Sequence, residues 1–290
     1  MPIFNRKKKN VSLEKHPQTR IGLALGGGGA RGYTHLGVLK VFEEYGLKFD
    51  YVAGTSVGSM IGALYAAGWN YQKIYHVAKD IDLKTIKPSG IFGLLPSKTD
   101  GIEKIIKSAL GDVKIEDLAI PFAAVAVDLK TTKEHILTKG NLAKSVAASC
   151  AVPGVFQPVA IDNLLLCDGG LSNNLPASVP KRMGCDYVVA VDVNPGRLYG
   201  TESSKILDVL SCTIRILMKG STAKGFLYAD HIIEPNTKRF RSTKNDNYEE
   251  MIEEGYRAAI AAMPEILALF QKKPVKQKIK NKFEDDAVVV

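Results

Sequence analysis

Gly54-Thr55-Ser56-Val57-Gly58 places a serine between two glycines in the spacing G-x-S-x-G. An apolar run, FDYVAG, leads into it, and an Ala/Gly-rich helical pattern, VGSMIGALYAAG, leads out. A strand that turns sharply into a helix strains the backbone of its central residue and lifts that side chain clear of the sheet. Glycine two positions either side removes the Cβ atoms that would collide where strand and helix cross. The helix N-terminus also favours the alkoxide that develops when the hydroxyl attacks a carbonyl. The pattern in this context marks Ser56 as a candidate nucleophile.

Such a serine needs hydrogen-bond donors for the oxyanion its attack creates. The run Gly26-Gly27-Gly28-Gly29, continued by Ala30-Arg31-Gly32, follows the apolar run IGLAL and opens a helix. Successive backbone N–H groups in such a turn form an anion-binding nest. Arg31 is placed to hold that loop or to attract an anionic head group. Gly27, Gly29 and Gly32 also satisfy G-x-G-x-x-G, the dinucleotide fingerprint, with Asp50 18 residues after Gly32. In that fold the acid sits at the end of the second strand. Asp50 stands at the start of FDYVAG, and that strand ends in the serine turn, so the fingerprint reading is the weaker one.

A base must take the serine's proton. His76 lies in a helical pattern, His135 in a strand pattern, and His231 at a strand start. None follows a strand end as a triad histidine should. Asp168-Gly169-Gly170 does follow one, after LLLC, on the edge where α/β sites form. As a turn pair Asp-Gly is common; as the acid at a strand's C-terminal end, Asp168 is the candidate partner for Ser56.

The elements that must hold these residues alternate between short apolar runs and helical patterns, which indicates a mostly parallel α/β sheet. Helices are expected from Tyr33 to Tyr45, ended by Gly46, and after Ser56, ended by Gly68. Asp100 is expected to cap GIEKIIKSAL, and Asn141 to cap LAKSVAASCA. PFAAVAVDL, EHILT, LLLC, CDYVVAVDV and HIIEP read as strands, and 204–220 and 248–271 as longer helices. The segment Gly90–Pro96, four large apolar residues among helix breakers, is a candidate lid. Exchanging Ile91 and Phe92 for Ser would then reduce activity on micelles more than on a soluble ester.

The chain has 290 residues and a net charge of +9, of which residues 1–20 and 271–290 together carry +8. The expected organisation is a basic flexible tail over 1–20, one domain over 21–270, and a Lys-rich flexible tail over 271–290. The nearly neutral core offers no basic groove for nucleic acid. Basic tails suit peripheral contact with an anionic membrane. No run approaches ~18 uninterrupted apolar residues, so no spanning helix is expected. The N-terminal basic run leads into no apolar stretch and does not read as a secretory signal. Pro2 stands where N-myristoylation needs glycine. Cys150, Cys167, Cys185 and Cys212 show no metal-ligand or C-x-x-C spacing and read as reduced thiols of a cytoplasmic protein.

Gly27-Gly28-Gly29-Ala30-Arg31-Gly32, Gly54-Thr55-Ser56-Val57-Gly58 and Asp168-Gly169-Gly170 occur in this order, with Ala151-Val152-Pro153-Gly154-Val155-Phe156 ahead of the last. In this the chain resembles the patatin-like phospholipases, a family that extends to the neuropathy-target-esterase type, and among them the small bacterial members. The match covers most of residues 20–195. One departure is Gly26, where many members carry an aspartate. The resemblance implies a three-layer α/β/α fold and a Ser–Asp dyad with no histidine. It also implies hydrolysis of lipid acyl esters without metal or cofactor. By motif, Ser56 is the nucleophile and Asp168 the proton acceptor. The N–H groups near Gly28 and Gly29 form the oxyanion hole within the loop Gly27, Gly28, Gly29, Arg31 and Gly32, with Arg31 supporting it. Gly54, Gly58, Gly169 and Gly170 shape the turns.

Two other functions fit the same residues, a thioesterase or acyltransferase using the dyad and a non-catalytic regulator that keeps the fold. The dyad carries its own difficulty. A carboxyl with a pKa of ~3.9 is a poor base for a serine hydroxyl. Burial would raise it. Asp168 is therefore expected to be desolvated, with activity lost in acid and no histidine-type step near neutrality.

Overall fold

The computed structural model describes residues 16–79, 99–195, 206–241, 246–274 and 287–290. The candidate lid at 90–96 and most of both charged tails lie outside them.

The apolar runs form the sheet. Strands β1 (Ile21–Leu25), β2 (Tyr51–Thr55), β3 (Phe122–Asp128), β7 (Tyr187–Val191) and β8 (His231–Ile233) are parallel neighbours in the order β3-β2-β1-β7-β8. β1, β2, β3 and β7 are buried along their whole length, as parallel strands covered on both faces must be. Their residues alternate between two cores. Leu23, Leu25, Val52, Phe122 and Val189 point into the larger one, and Ala24, Ala53, Ala123, Val125 and Ala190 into the smaller. Two cores separated by one sheet make the three-layer α/β/α arrangement expected from the sequence.

The larger core is covered by α1 (Tyr33–Glu44), α2 (Val57–Ala66), α3 (Tyr71–Lys79), α4 (Asp100–Leu110), α5 (Leu142–Ser149) and α9 (Tyr248–Gln271). The smaller is covered by α7 (Ser178–Arg182) and its flanks. Helix α8 (Ile206–Phe226) packs on the short α6 (Gly170–Asn173). Gly46 and Gly68 both have positive φ, as expected of left-handed helix ends. The Asn141 side chain caps α5 through the Lys144 N–H. The cap of α4 is Thr99; Asp100 is the helix's first residue, where its charge still favours the helix dipole.

β4 (Glu134–Leu137) and β6 (Leu164–Asp168) run antiparallel to β3, and β5 (Val159–Ile161) antiparallel to β6, so the sheet is mixed on this side. β9 (Val288–Val289) pairs with β4, and Val290 N–H donates to the Ile136 carbonyl. The last residues are thus paired where a flexible tail was expected. At the other end, Thr19 is buried and its hydroxyl donates to the Lys272 carbonyl.

The register around β3 matters most for function. Its residues 124–127 pair with β4 on one edge. On the other edge, Phe122–Val125 pair with β2 and Ala126–Asp128 with β6. β2 and β6 therefore approach head to head along a single strand. Thr55 stands opposite Val125 and Asp168 opposite Ala126, so the residue after Thr55 emerges beside Asp168.

Candidate active site

Ser56 lies in the turn between β2 and α2 with φ 53° and ψ −128°, a left-handed conformation that costs a serine ~1–3 kcal/mol. The surrounding hydrogen bonds hold it there. Its N–H donates to Ser149 Oγ at 3.0 Å, and Ser149 Oγ donates to the Val125 carbonyl at 2.6 Å. The Ser56 carbonyl accepts from Ser59 N–H at 2.8 Å and Ser59 Oγ at 2.6 Å. Thr55 Oγ1 donates to the Asn173 carbonyl. The flanking glycines act by close approach. A Cβ on Gly54 would lie 2.4 Å from the Gly58 carbonyl oxygen, and one on Gly58 2.1 Å from the Leu25 oxygen. Gly58→Ala is expected to lower unfolding free energy by about 2–3 kcal/mol, because only backbone could yield. A shift in denaturant midpoint measures it, and an unchanged midpoint would show that the crossing is looser than this.

Asp168 ends β6 and is fully buried. Its N–H donates to the Ala151 carbonyl, and its Oδ1 accepts from Gly170 N–H at 2.8 Å. Among the described residues no hydrogen bond reaches its Oδ2. Burial raises its pKa from 3.8 to about 7; the Gly170 N–H and the nearby Ser56 hydroxyl oppose that rise without cancelling it. The serine is thus close enough to bias the carboxyl, while Oδ2 is left open to receive a proton.

The glycine loop closes over this pair. A Cβ on Gly27 would lie 3.1 Å from the Ser56 Cβ. Gly27 N–H is committed to the Asn174 carbonyl, and its own carbonyl accepts from the Asn174 and Asn194 side chains. Gly27 therefore fixes the loop and does not donate to a substrate. Among the described residues the N–H groups of Gly28 and Gly29 make no hydrogen bond outside their own turn, so they are free to meet an oxyanion. Arg31 braces the loop, with Nε donating to the Phe240 carbonyl at 2.9 Å and Nη1 to Asn194 Oδ1 at 2.8 Å. A Cβ on Gly32 would lie 2.3 Å from Val57 Cγ2, so this glycine packs the loop on α2.

Ser56 opens into a cavity of about 900 Å³. The loop residues Gly27–Gly32 line it with Met60, Ile102, Val152, Phe156 and Met218, a wall suited to an acyl chain. Among the described residues no histidine lines it. His35 is buried with Nε2 2.9 Å from the Gly26 carbonyl, and burial lowers its pKa to about 4. His231 Nδ1 lies 3.4 Å from Glu265 Oε2. Asp50, the acid of the fingerprint reading, accepts the Ile21 N–H and ties β1 to β2. All four cysteines are free. No group of described residues has the composition of a metal site.

Sequence reading missed Ser149, Asn174 and Asn194. Asn194 carried a usable signal, since it lies just past the C-terminal end of a parallel strand, where sites gather. Asn174 follows the Asp-Gly-Gly turn as the C-cap of α6, but nothing local shows that it reaches Gly27. No described helix is long and apolar enough to cross a membrane.

The chain is similar in sequence and fold to known proteins. The profile of the patatin-like phospholipase family matches residues 23–180. An uncharacterized NTE family protein of Mycobacterium tuberculosis is 38% identical over 180 residues, covering 60% of this chain and 49% of that protein. A lysophospholipase of Eremothecium gossypii is 37% identical over 179 residues, covering 60% of this chain and 12% of that protein. The chain thus spans half or less of the length of these relatives. Among solved structures, VipD from Legionella pneumophila has the same fold at a TM-score of 0.61. It is 14% identical, with 95% of this chain and 72% of that one covered.

Proposed function

The chain belongs to the patatin-like phospholipase family, and from that premise we propose that it is a lipid acyl hydrolase using Ser56 and Asp168. Ser56 Oγ attacks the ester carbonyl carbon while its proton passes to Asp168 Oδ2. The Gly28 and Gly29 N–H groups, at the start of a helical turn, stabilise the tetrahedral oxyanion. Collapse expels the alcohol, which takes the proton from Asp168, and leaves an acyl-serine. Water then attacks the acyl carbon, gives a proton to Asp168, and the second collapse frees the fatty acid and returns the proton to Ser56. No histidine and no metal is needed for this balance.

The observation that carries the reading is the unpartnered, fully buried Oδ2 of Asp168 beside a strained serine that opens into an apolar cavity. The similarity to a lysophospholipase supports lipid esters as the substrate class. Release of free fatty acid from a panel of lysophospholipids, diacyl phospholipids and acylglycerols tests it. Acid released from none of them by folded protein would refute it. Contact with an anionic membrane through the basic tails, and a cytoplasmic location, remain proposals of the same kind.

Burial sharpens the pH dependence. The base works only when ionised, so kcat/KM on a soluble ester should rise tenfold per pH unit below about 7 and level off above it. The sequence alone led to no step near neutrality; desolvation moves the aspartate's step there, into the range of an ordinary histidine. His231→Ala should leave that limb in place. Loss of the limb in this variant would transfer the role of base to histidine.

A further inference from the structure

Helix α8 is tied to the Asp168 end of the site. Ser221 Oγ donates to the Gly170 carbonyl at 2.6 Å, and Met218 Cε lies 2.8 Å from where a Cβ on Gly170 would stand. From this position α8 sends Ile214, Arg215, Met218 and Lys219 to the cavity wall. Arg215 and Lys219 are four residues apart and so share one face of the helix. The Arg215 Nε is buried and has no hydrogen-bond partner among the described residues. A guanidinium stays charged at any relevant pH, and a buried charged donor left unpaired is costly. Among the described residues neither Arg215 nor Lys219 forms an ion pair.

The other charges of the cavity are Arg31, Asp192 and Glu234. Arg31 is engaged by Phe240 and Asn194 and acts electrostatically on Asp192, which also accepts the Asn194 N–H. Arg215 is thus the part-buried cation of this wall with a donor still to be met, and Lys219, exposed one turn further on, can reach the same anion.

We propose that Arg215 and Lys219 form an anion subsite that selects lipid esters carrying a phosphate group; this rests on reading the cavity as a lipid-ester site. A phosphate spreads its charge over several oxygens and can engage a guanidinium and an ammonium together. A fatty-acid carboxylate, the expected product, is the other anion that could reach them. A neutral glycerol ester would leave the buried Arg215 Nε unmet.

Calorimetry on the Ser56→Ala protein separates these cases without turnover, using decyl phosphate, decanoate and decanol below their aggregation limits. Decyl phosphate should bind at least tenfold more tightly than decanol and more tightly than decanoate. The Arg215→Gln/Lys219→Gln double variant should lose that preference. Equal affinity for decyl phosphate and decanol, or an intact preference in the double variant, would overturn the subsite. Tighter decanoate binding would assign it to the product carboxylate and overturn the phosphate selection. In the active enzyme, the ratio of kcat/KM for a lysophosphatidate over the matching monoacylglycerol should fall at least tenfold in the double variant. A ratio that does not move, because both values fall together or neither does, marks the cations as structural. If neither lipid is hydrolysed by the wild type, the hydrolase reading fails, and the calorimetry still decides the subsite.

Discussion

Ser56→Ala is expected to reduce ester hydrolysis by a factor on the order of 10⁴–10⁶, the loss that follows when a nucleophile acting as part of a unit is removed. The same variant should fold normally, because the hydrogen bonds at the elbow run through the Ser56 backbone and through the side chains of Ser149 and Ser59. Alanine keeps the strain at φ 53°, whereas Ser56→Gly relieves it. After glycine's own entropic cost, about 1 kcal/mol of extra stability should remain. The pair of variants thus separates function from fold, since both are inactive and one is more stable than wild type. Substantial hydrolysis by Ser56→Ala would place the nucleophile elsewhere.

Asp168→Asn should lower kcat/KM by about 10²–10⁴, the usual contribution of a general base, and should stabilise the protein at the pH where the enzyme works. The carboxyl's pKa is raised on folding from 3.8 to about 7, so the folded protein favours its neutral form. Below pH 3.8 the group is protonated in both states and costs nothing. Between 3.8 and 7 the unfolded chain ionises while the folded one resists, and stability falls; above 7 the full difference, about 4 kcal/mol, is present. An asparagine never ionises and still accepts the Gly170 N–H. Asp168→Asn should therefore gain up to about 4 kcal/mol over wild type at pH 8, with the gain vanishing near pH 4. Equal stability at both pH values would mean that the carboxylate is solvated in the folded protein, which would remove the physical basis for its basicity.

These two residues were legible in the sequence because their surroundings are written in glycine. Gly54 and Gly58 are required by backbone atoms within 2.1–2.4 Å of any added Cβ, and a requirement of that kind survives as a spacing. Asp168 was legible as an acid at a strand end. Its nearness to Ser56 was not, since that depends on β2 and β6 sharing one edge of β3. Sequence patterns give strands and their ends but not which edge they take. The antiparallel flank of β4, β5 and β6 and the terminal pairing of β9 escaped for the same reason. Asn174 and Asn194 hold the glycine loop from 147 and 167 residues away; the strand end puts Asn194 on the site's edge, but no local signal carries the contacts themselves. The pKa of Asp168 was foreseen in direction only, because its size depends on complete burial.

The central claim, that Ser56 is activated by Asp168, is tested most directly by mapping fluorophosphonate labelling at pH 8 on the wild-type, Ser56→Ala and Asp168→Asn proteins. Wild type should be labelled on the peptide containing Ser56, Ser56→Ala should be unlabelled, and Asp168→Asn should be labelled at least about a hundredfold more slowly. Labelling of Asp168→Asn at the wild-type rate, or of another residue in the wild type, or of nothing in a well-folded wild-type protein would contradict it.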